Sequence, residues 1–569
     1  MNDISKQLRA QFYKGNYVWF SIALFSSLAA GSLNLILSWI IKQLIDTISN
    51  VNTSVTLKNM AEISILFVLL CIFLGLLDYI AQPRYLKRAI TQYKNFAFKK
   101  LTEKNISSFK DENCATYIST LSNDINNIET NYLSQQLTMI TKIITFIGAI
   151  AMMLYYSPLL TLITAIITTL PLIASILTGN RLQVIEGKVS DKYKEYTSAL
   201  ADCLNGFTVV KSFKAEKEVA NLFERDNKQL EDEKYKCRRI ESMIHLIGST
   251  TGIVAQLGVF LIGTYLSTNN QSLTGGTVIL FVNLMNFVID PIAQLPGLLS
   301  QRKASLALID KLADSLNKNS EVSGDKVITQ LDEGIKLDDV SFGYESNKDV
   351  LHNISFNFEK GKSYAIVGSS GSGKSTLLNL LTGINSNYYG RIMFDNIEMK
   401  EISPKSLYDI VGLIQQNVFV FNASIIDNIT MFRDFSTEDV DDAIKKSRLN
   451  ELIETKTKQY LCGENGKNLS GGEKQRISVA RSLLKNSSVL LADEITSALD
   501  KDTAYHVTKD ILSLKGITRI IVTHALDEEV LKDFDKIIVM KNGTIVEADS
   551  FDNLMNEKGY FSALYTVSQ

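Results

Sequence analysis

Residues Ser363 to Leu381 read SYAIVGSSGSGKSTLLNLL. Ser363 to Val367 has the composition of a buried strand, the glycines at 368, 371 and 373 turn the chain, and Leu377 to Leu381 continues as a helix stopped at Gly383. A glycine loop with Lys374-Ser375-Thr376 at its end, between a strand and a helix, is the setting a phosphate-binding loop requires. The glycines let backbone N–H groups of Gly368, Ser369, Gly371, Gly373 and Thr376 turn toward an anion, at a helix N terminus that favours negative charge. Lys374 is expected to reach the β- and γ-phosphates of ATP, and the Ser375 hydroxyl to ligate Mg²⁺.

Two strings downstream extend the argument. Val489 to Glu494, VLLADE, is four apolar residues followed by two carboxylates, the pattern of a buried parallel strand that delivers acid groups to the phosphates. Asp493 is then the expected Mg²⁺ holder, and Glu494 the group that orients and deprotonates the attacking water. Leu469 to Arg476, LSGGEKQR, places Ser470 and Glu473 in capping-box spacing before a helical run, with Gly471 and Gly472 leaving amides open at its start. That makes a second anion site, and the chain holds one of each.

Outward toward the N terminus the composition changes. Six predominantly apolar segments, at 17–45, 57–82, 131–156, 159–180, 243–267 and 274–299, are long enough for a bilayer core, which takes about 20 residues per helix. The links at Ser157-Pro158 and Ser267 to Thr274 must be tight. Basic residues crowd the link after the second segment (Arg84, Lys87, Arg88, Lys94, Lys99, Lys100, Lys104, Lys110) and the one after the fourth (Lys188, Lys192, Lys194). By the positive-inside rule both termini and both long links are cytoplasmic, and the helical pattern of the links extends the membrane helices into the cytosol. In the sixth segment Asn283, Asn286, Asp290 and Gln294 make one polar stripe, read as facing a solute cavity or, alternatively, neighbouring helices. Lys142 and Asp78 are further intramembrane charges, Lys142 at the depth of Asp290 and Asp78 slightly deeper, so these groups are read either as pairing with one another or, Lys142 with the stripe, as meeting a charged solute in the cavity; Asp78, close to Arg84 in the chain, leans to the structural reading.

The whole chain of 569 residues has a net charge of −2, which argues against a nucleic-acid binder. Five cysteines without paired spacing read as reduced thiols. The first apolar segment is too long for a cleaved signal peptide. The expected architecture is an all-α transmembrane domain of six helices over 1–316, a polar linker over 317–325, and a soluble α/β P-loop NTPase domain with a helical subdomain over 326–569.

In order and spacing, these motifs resemble those of the ATP-binding cassette (ABC) superfamily, and six helices before one cassette resemble its exporter-type half-transporters. The resemblance implies that the LSGG helix faces the γ-phosphate bound by a second subunit, so that ATP is sandwiched in a dimer. It implies adenine stacking for Tyr344, a role at Mg²⁺ and at the membrane-domain contact for Gln416, a D-loop at Ser497-Ala498-Leu499-Asp500, and a γ-phosphate switch for His524. Phe109 to Glu129 and Leu204 to Phe213 are similar to the coupling regions of that group. Asn465 in Cys462-Gly463-Glu464-Asn465-Gly466 departs from it, an arginine being usual there. The implied activity is ATP hydrolysis coupled to export of an amphipathic solute (a drug, peptide or lipid-like molecule) by alternating access. The implied setting is a bacterial plasma membrane, with a homodimer favoured over a heterodimer. An importer on the same scaffold, or an ATP-gated regulator, would keep the same ATP site; a soluble ATPase of the superfamily would not have the six spans.

Overall fold

The computed structural model describes residues 3–49, 56–104, 106, 109, 114–269, 273–317, 324–345, 348–385, 387–496 and 499–568. Two compact units result, one of Met1–Thr102 with Ala115–Asn317 and one of Glu103–Cys114 with Lys318–Gln569.

The first unit is helical: α1 (Asp3–Ala10), α2 (Tyr17–Ile48), α3 (Leu57–Thr102), α4 (Gln135–Tyr156), α5 (Pro158–Ile167), α6 (Thr169–Asn205), α7 (Glu216–Asn269) and α8 (Gly275–Asn317). At about 1.5 Å per residue, α3 and α7 are roughly 70 and 80 Å long, more than twice a hydrocarbon core of about 30 Å. Five helical runs have the length and apolarity to cross a bilayer among the described residues. The fourth expected span, 159–180, differs: it is divided at Thr168 between α5 and α6. Pro171 supplies the reason, since it has no N–H to offer the Ile167 carbonyl. The link at Ser157 is tight as expected, with the Ser157 hydroxyl accepting from Leu160 N at 3.2 Å and Pro158 opening the helix.

Apolar side chains cover an outer face of α3, where Ile65, Leu66, Leu69, Ile72, Phe73 and Leu76 are exposed, as suits a helix that crosses a bilayer. Inside, one cluster gathers Phe12, Tyr85, Tyr93, Ile125, Ile128 and Ile309. Phe12 stacks on Tyr93 with ring centroids 4.9 Å apart, and α1 is tied to α8 by Ser5 and Arg9 on the Asp310 carboxylate. A second cluster packs Ala149, Met153, Val259, Phe281 and Leu284. Close helix approach uses small residues: a Cβ on Gly31 of α2 would meet Thr145 of α4 at 3.0 Å. Two π turns, Thr120–Asp124 and Glu129–Ser134, interrupt the helical run leading into α4.

The second unit carries two sheets. The four-stranded sheet has the order β2-β1-β4-β5, built from β1 (Gly334–Glu345), β2 (Lys348–Glu359), β4 (Tyr389–Phe394) and β5 (Ile397–Glu398). The six-stranded sheet has the order β10-β9-β3-β8-β7-β6, with β3 (Ser363–Gly368), β6 (Val411–Ile414), β7 (Val489–Asp493), β8 (Thr518–Val522), β9 (Lys536–Lys541) and β10 (Thr544–Asp549). Strands β3, β7 and β8 are adjacent and parallel, with Ile366 opposite Val522 and Val522 opposite Asp493. Their buried aliphatic runs place three C-terminal ends along one edge of the sheet, which is where ligands bind in such folds. Helix α9 (Lys374–Leu381) follows β3. The helical subdomain consists of α10 (Ile425–Thr430), α11 (Thr437–Lys446), α12 (Asn450–Lys456) and α13 (Gly471–Lys485), around a core that includes Ile425, Ile429, Val440, Ile444 and Ile477. Helix α14 (Lys501–Leu512) comes after β7.

Candidate functional site

The loop between β3 and α9 is shaped by its glycines. Gly371 and Gly373 lie at φ 80° and 100°, a region that costs an L-residue about 1–2 kcal/mol. A Cβ on Gly373 would also meet the Leu351 side chain at 2.7 Å. Lys374 is buried, and its ammonium donates to the carbonyl oxygens of Gly368 and Ser369, both at 2.9 Å. Burial pushes this ammonium below the ordinary lysine range, against the opposing effect of the Glu494 and Asp493 charges. Lysine therefore closes over its own loop, with its charge at the centre of the cradle.

Ser375 follows Lys374 and donates its hydroxyl to Asp493 Oδ1 at 3.2 Å. Burial raises the Asp493 carboxyl above the usual carboxylate range, opposed by that same hydrogen bond. A hydroxyl and a carboxylate held together beside a phosphate loop are the oxygen ligands that Mg²⁺ takes, so the pair fits that ion.

Glu494 leaves the end of β7 at φ 49°, a left-handed conformation rare for a glutamate, and its N–H donates to Val522 O at 3.0 Å. This turn aims the carboxylate along the sheet edge instead of continuing the strand. Two side chains converge on it. Gln416 Nε2 donates to Oε2 at 2.6 Å, and His524 Nε2 lies 2.8 Å from Oε1. Gln416 thus sits on Glu494 and is not bonded to the Ser375–Asp493 pair. A carboxylate oriented from both sides is able to hold a water and take its proton.

Tyr344 is 62% exposed, with its ring edge-on to Phe342 and its hydroxyl 3.3 Å from the Thr376 hydroxyl. An open aromatic face beside the phosphate loop suits stacking of a base. On the other lobe, Ser470 caps α13 as expected: its Oγ accepts from Glu473 N at 3.2 Å, and Glu473 accepts from Ser470 N at 2.6 Å. Against the effect of burial, that backbone bond and the Lys456 charge hold Glu473 below its ordinary range. Ser470 and Gly471 are exposed, so the open amides of this helix face out of the unit. Ser497 and Ala498 of the D-loop lie outside the described residues, as do Lys110 to Asn113 of the first coupling region; Asp500 caps α14 through Thr503 N at 2.9 Å. Asn465 stands at φ 52° between Gly463 at 75° and Gly466 at 67°. Among non-glycine residues asparagine tolerates that region best, so the departure from arginine matches the turn.

Sequence reading missed two groups here. Gln475 of α13 donates to Glu494 O at 3.4 Å. Arg481 on the same helix donates to Phe419 O at 2.7 Å, Asn428 O at 2.6 Å and Asn428 Oδ1 at 2.7 Å, tying the segment after Gln416 to the LSGG helix. Its signal was available, because Arg481 falls on the helix face of the buried Ile477 and Leu484.

In the first unit, Lys142 Nζ lies 2.5 Å from Asp290 Oδ2, and Gln294 donates to the other oxygen of Asp290. Gln256 of α7 donates to Asn286 at 2.7 Å, an interhelical bond. Lys142 and Asp290 line a cavity; Asn283, Asn286 and Gln294 are not in its lining among the described residues. Asp78 also lines it, and the placement of Asp78 beside Arg84 is corrected: Arg84 sits over the Trp19 ring at 4.9 Å, while Ser26 and Ser27 donate to Asp78. A second ion pair had been overlooked. Lys42 and Asp46 of α2 are both buried 2.7 Å apart, and Asp46 also accepts from Gly276 N at the start of α8.

Comparison with known proteins agrees with this geometry. Residues 20–292 match the family described as the ABC transporter transmembrane region, and residues 351–497 the family described as ABC transporter. The uncharacterized ABC transporter ATP-binding protein YfiC of Bacillus subtilis is 30% identical over 489 residues, 82% of this chain and 78% of that protein. The ATP-dependent lipid A-core flippase of Haemophilus ducreyi is 27% identical over 567 residues, 97% of this chain and 96% of that protein. The fold resembles the structure of a bacterial Atm1-family ABC exporter with ATP bound, with a TM-score of 0.84 and 22% identity over 98% of each chain.

Proposed function

The chain belongs to the ABC transporter family and couples ATP hydrolysis to transport across a membrane; from that premise we propose that it exports an amphipathic solute by alternating access as a dimer. The observation that carries this reading is the convergence of Gln416 and His524 on Glu494, beside a Ser375–Asp493 pair and a closed lysine cradle. This is a hydrolytic site built for turnover and not only for binding.

In this reading Gly368, Ser369, Gly371, Gly373 and Thr376 hold the phosphates, and Tyr344 stacks on the adenine. Ser375 and Asp493 would hold Mg²⁺, which when bound neutralises charge on the β- and γ-phosphates. Lys374 exchanges its two carbonyl partners for phosphate oxygens. Glu494 takes the proton of the attacking water while Gln416 keeps the carboxylate in place, and His524 faces the γ-phosphate. The amides of the exposed Gly471 and the half-buried Gly472, with Ser470, meet the nucleotide of a second cassette. One phosphate loop and one such helix per chain make the dimer the unit of hydrolysis.

Moving a two-state equilibrium from 1:99 to 99:1 takes ~5.5 kcal/mol of differential binding. Two sandwiched nucleotides supply it, and the long extensions of α3, α6 and α7 carry closure to the bundle. The basic residues on α3 support an orientation with both termini on the cytoplasmic side, and a bacterial cell membrane is the setting of this reading. Lipid-like, peptide and drug-like solutes are the classes considered, the H. ducreyi relative being a lipid A-core flippase by name.

The test is ATP-driven accumulation of a fluorescent amphipathic solute in inside-out membrane vesicles containing only this chain. Export predicts uptake into those vesicles that needs ATP. Efflux from preloaded vesicles would mean import, and no ATP turnover by the chain alone would mean an obligatory partner.

A further inference from the structure

The cavity of the membrane unit holds a charge that its surroundings leave unbalanced. Its volume is about 470 Å³, and its charged lining among the described residues is Asp78 of α3, Lys142 of α4 and Asp290 of α8. The Lys142 ammonium is committed to Asp290, whose second oxygen takes the Gln294 amide. Asp78 has only neutral partners: the hydroxyls of Ser26 at 2.9 Å and Ser27 at 3.3 Å, both on Oδ1. No basic side chain pairs with it among the described residues; Arg84, six positions along α3, lies over the Trp19 ring. With both carboxylates ionised, the cavity has one negative charge in excess.

A carboxylate at membrane depth is costly unless it is paired, and two hydroxyls do not supply the missing charge. An anionic solute would have to break the Lys142–Asp290 pair to gain a counter-ion, whereas a cation finds Asp78 free on one oxygen. Leu137, Phe287 and Pro291 give the same cavity apolar wall, and its size is that of a small-molecule site. We propose that this cavity is a subsite for the cationic group of an amphipathic solute, with Asp78 as counter-ion and the apolar wall receiving the body of the molecule. This rests on the export reading above and names the class of solute.

The experiment measures equilibrium binding to the full chain in lipid nanodiscs, without nucleotide. The probes are tetraphenylphosphonium and tetraphenylborate, which share shape and apolar surface and differ in sign; empty nanodiscs give the background. The wild-type chain is expected to bind the cation about tenfold more tightly than the anion, the effect of one partly desolvated charge contact. Asp78→Asn should remove that preference, and Asp78→Glu should restore most of it. Lys142→Met leaves Asp290 without its partner and should tighten cation binding, a gain that misfolding does not mimic. Equal binding of the two ions by the wild type, or an unchanged preference in Asp78→Asn, overturns the subsite. A charge preference with no ATP-driven movement of the cation in inside-out vesicles supports the subsite and refutes its use in export. Pumping of another solute without any charge preference does the reverse.

Discussion

Replacing Glu494 by glutamine removes a base while disturbing little else, and the structure says how little. The carboxylate has two neighbours, Gln416 Nε2 at 2.6 Å and His524 Nε2 at 2.8 Å. A glutamine keeps one acceptor oxygen, which can stay opposite His524. Its new NH₂ then opposes the Gln416 NH₂, and a single flip of the Gln416 amide turns that clash into a hydrogen bond. The left-handed φ of 49° costs the two residues alike, since both have the same unbranched stem. ATP affinity should therefore change by less than about 1 kcal/mol, roughly fivefold. Turnover should fall ~10²–10⁴-fold, the contribution of a positioned general base. The assay is phosphate release by the chain in nanodiscs, read beside equilibrium ATP binding and cross-linking of Ser470→Cys to Ser369→Cys between subunits in a Glu494→Gln background. ATP should increase that cross-link. Turnover within about threefold of wild type would refute the assignment of the base, and a loss of ATP binding equal to the loss of turnover would show that Glu494 acts on the ground state.

Other expectations follow from the same contacts. Arg481→Met deletes three charge-assisted bonds on a buried face; at ~1.5–3 kcal/mol each and short of additive, the loss is about 3–5 kcal/mol. Differential scanning calorimetry should show the cassette transition lowered by roughly 6–20 °C, with Arg481→Lys in between; a shift below about 2 °C would contradict the network. Gly373→Ala should weaken ATP binding by about tenfold, because it adds a methyl group against Leu351 at a positive φ, and wild-type affinity by calorimetric titration would contradict that. Asp535 accepts from Ser363 N at 2.8 Å and pairs with Lys362 at 2.9 Å. Against the effect of burial, these partners hold its carboxyl below the ordinary range. Its contribution to stability is thus present above the unfolded carboxylate pKa and lost as pH falls through the lower folded value. Asp535→Asn should destabilise the chain at pH 7 and converge on the wild type in acid; an equal gap in Tm across that range would point to a role other than charge.

The phosphate loop, the Asp493-Glu494 strand and the capped α13 were legible because each is local: a strand, a turn and a cap leave their marks within about ten residues. The membrane helices were legible for the same reason, as length and apolarity need no partner. The fourth span was read too simply, since the break at Thr168 depends on Pro171 acting on the preceding turn. What resisted reading was pairing at long range. The Lys142–Asp290 contact could be anticipated from depth, but the bond from Gly276 N at the start of α8 to Asp46 of α2 spans 230 positions, and nothing in a helical wheel says which two helices meet. Arg84 shows the opposite hazard. It lies six positions from Asp78, and α3 turns it onto Trp19 instead. Glu494 combined both situations: its identity was plain in the strand pattern, whereas its backbone turn and its two partners came from three separate segments.

The two wide turns before α4 have a consequence for how this chain is compared with others. Each of the segments Thr120–Asp124 and Glu129–Ser134 accommodates one residue more than a regular helix would, and one residue is about 100° of rotation. Ile125 and Ile128, lodged against Tyr93 and Ile309, are therefore out of phase with Lys142 and Thr145 above them. An alignment that carries a single helical period through this region will assign the wrong face on one side of it. Substitutions on the two sides of these turns therefore have to be placed on two separate helical periods, one running up to Ile128 and one starting at Gln135.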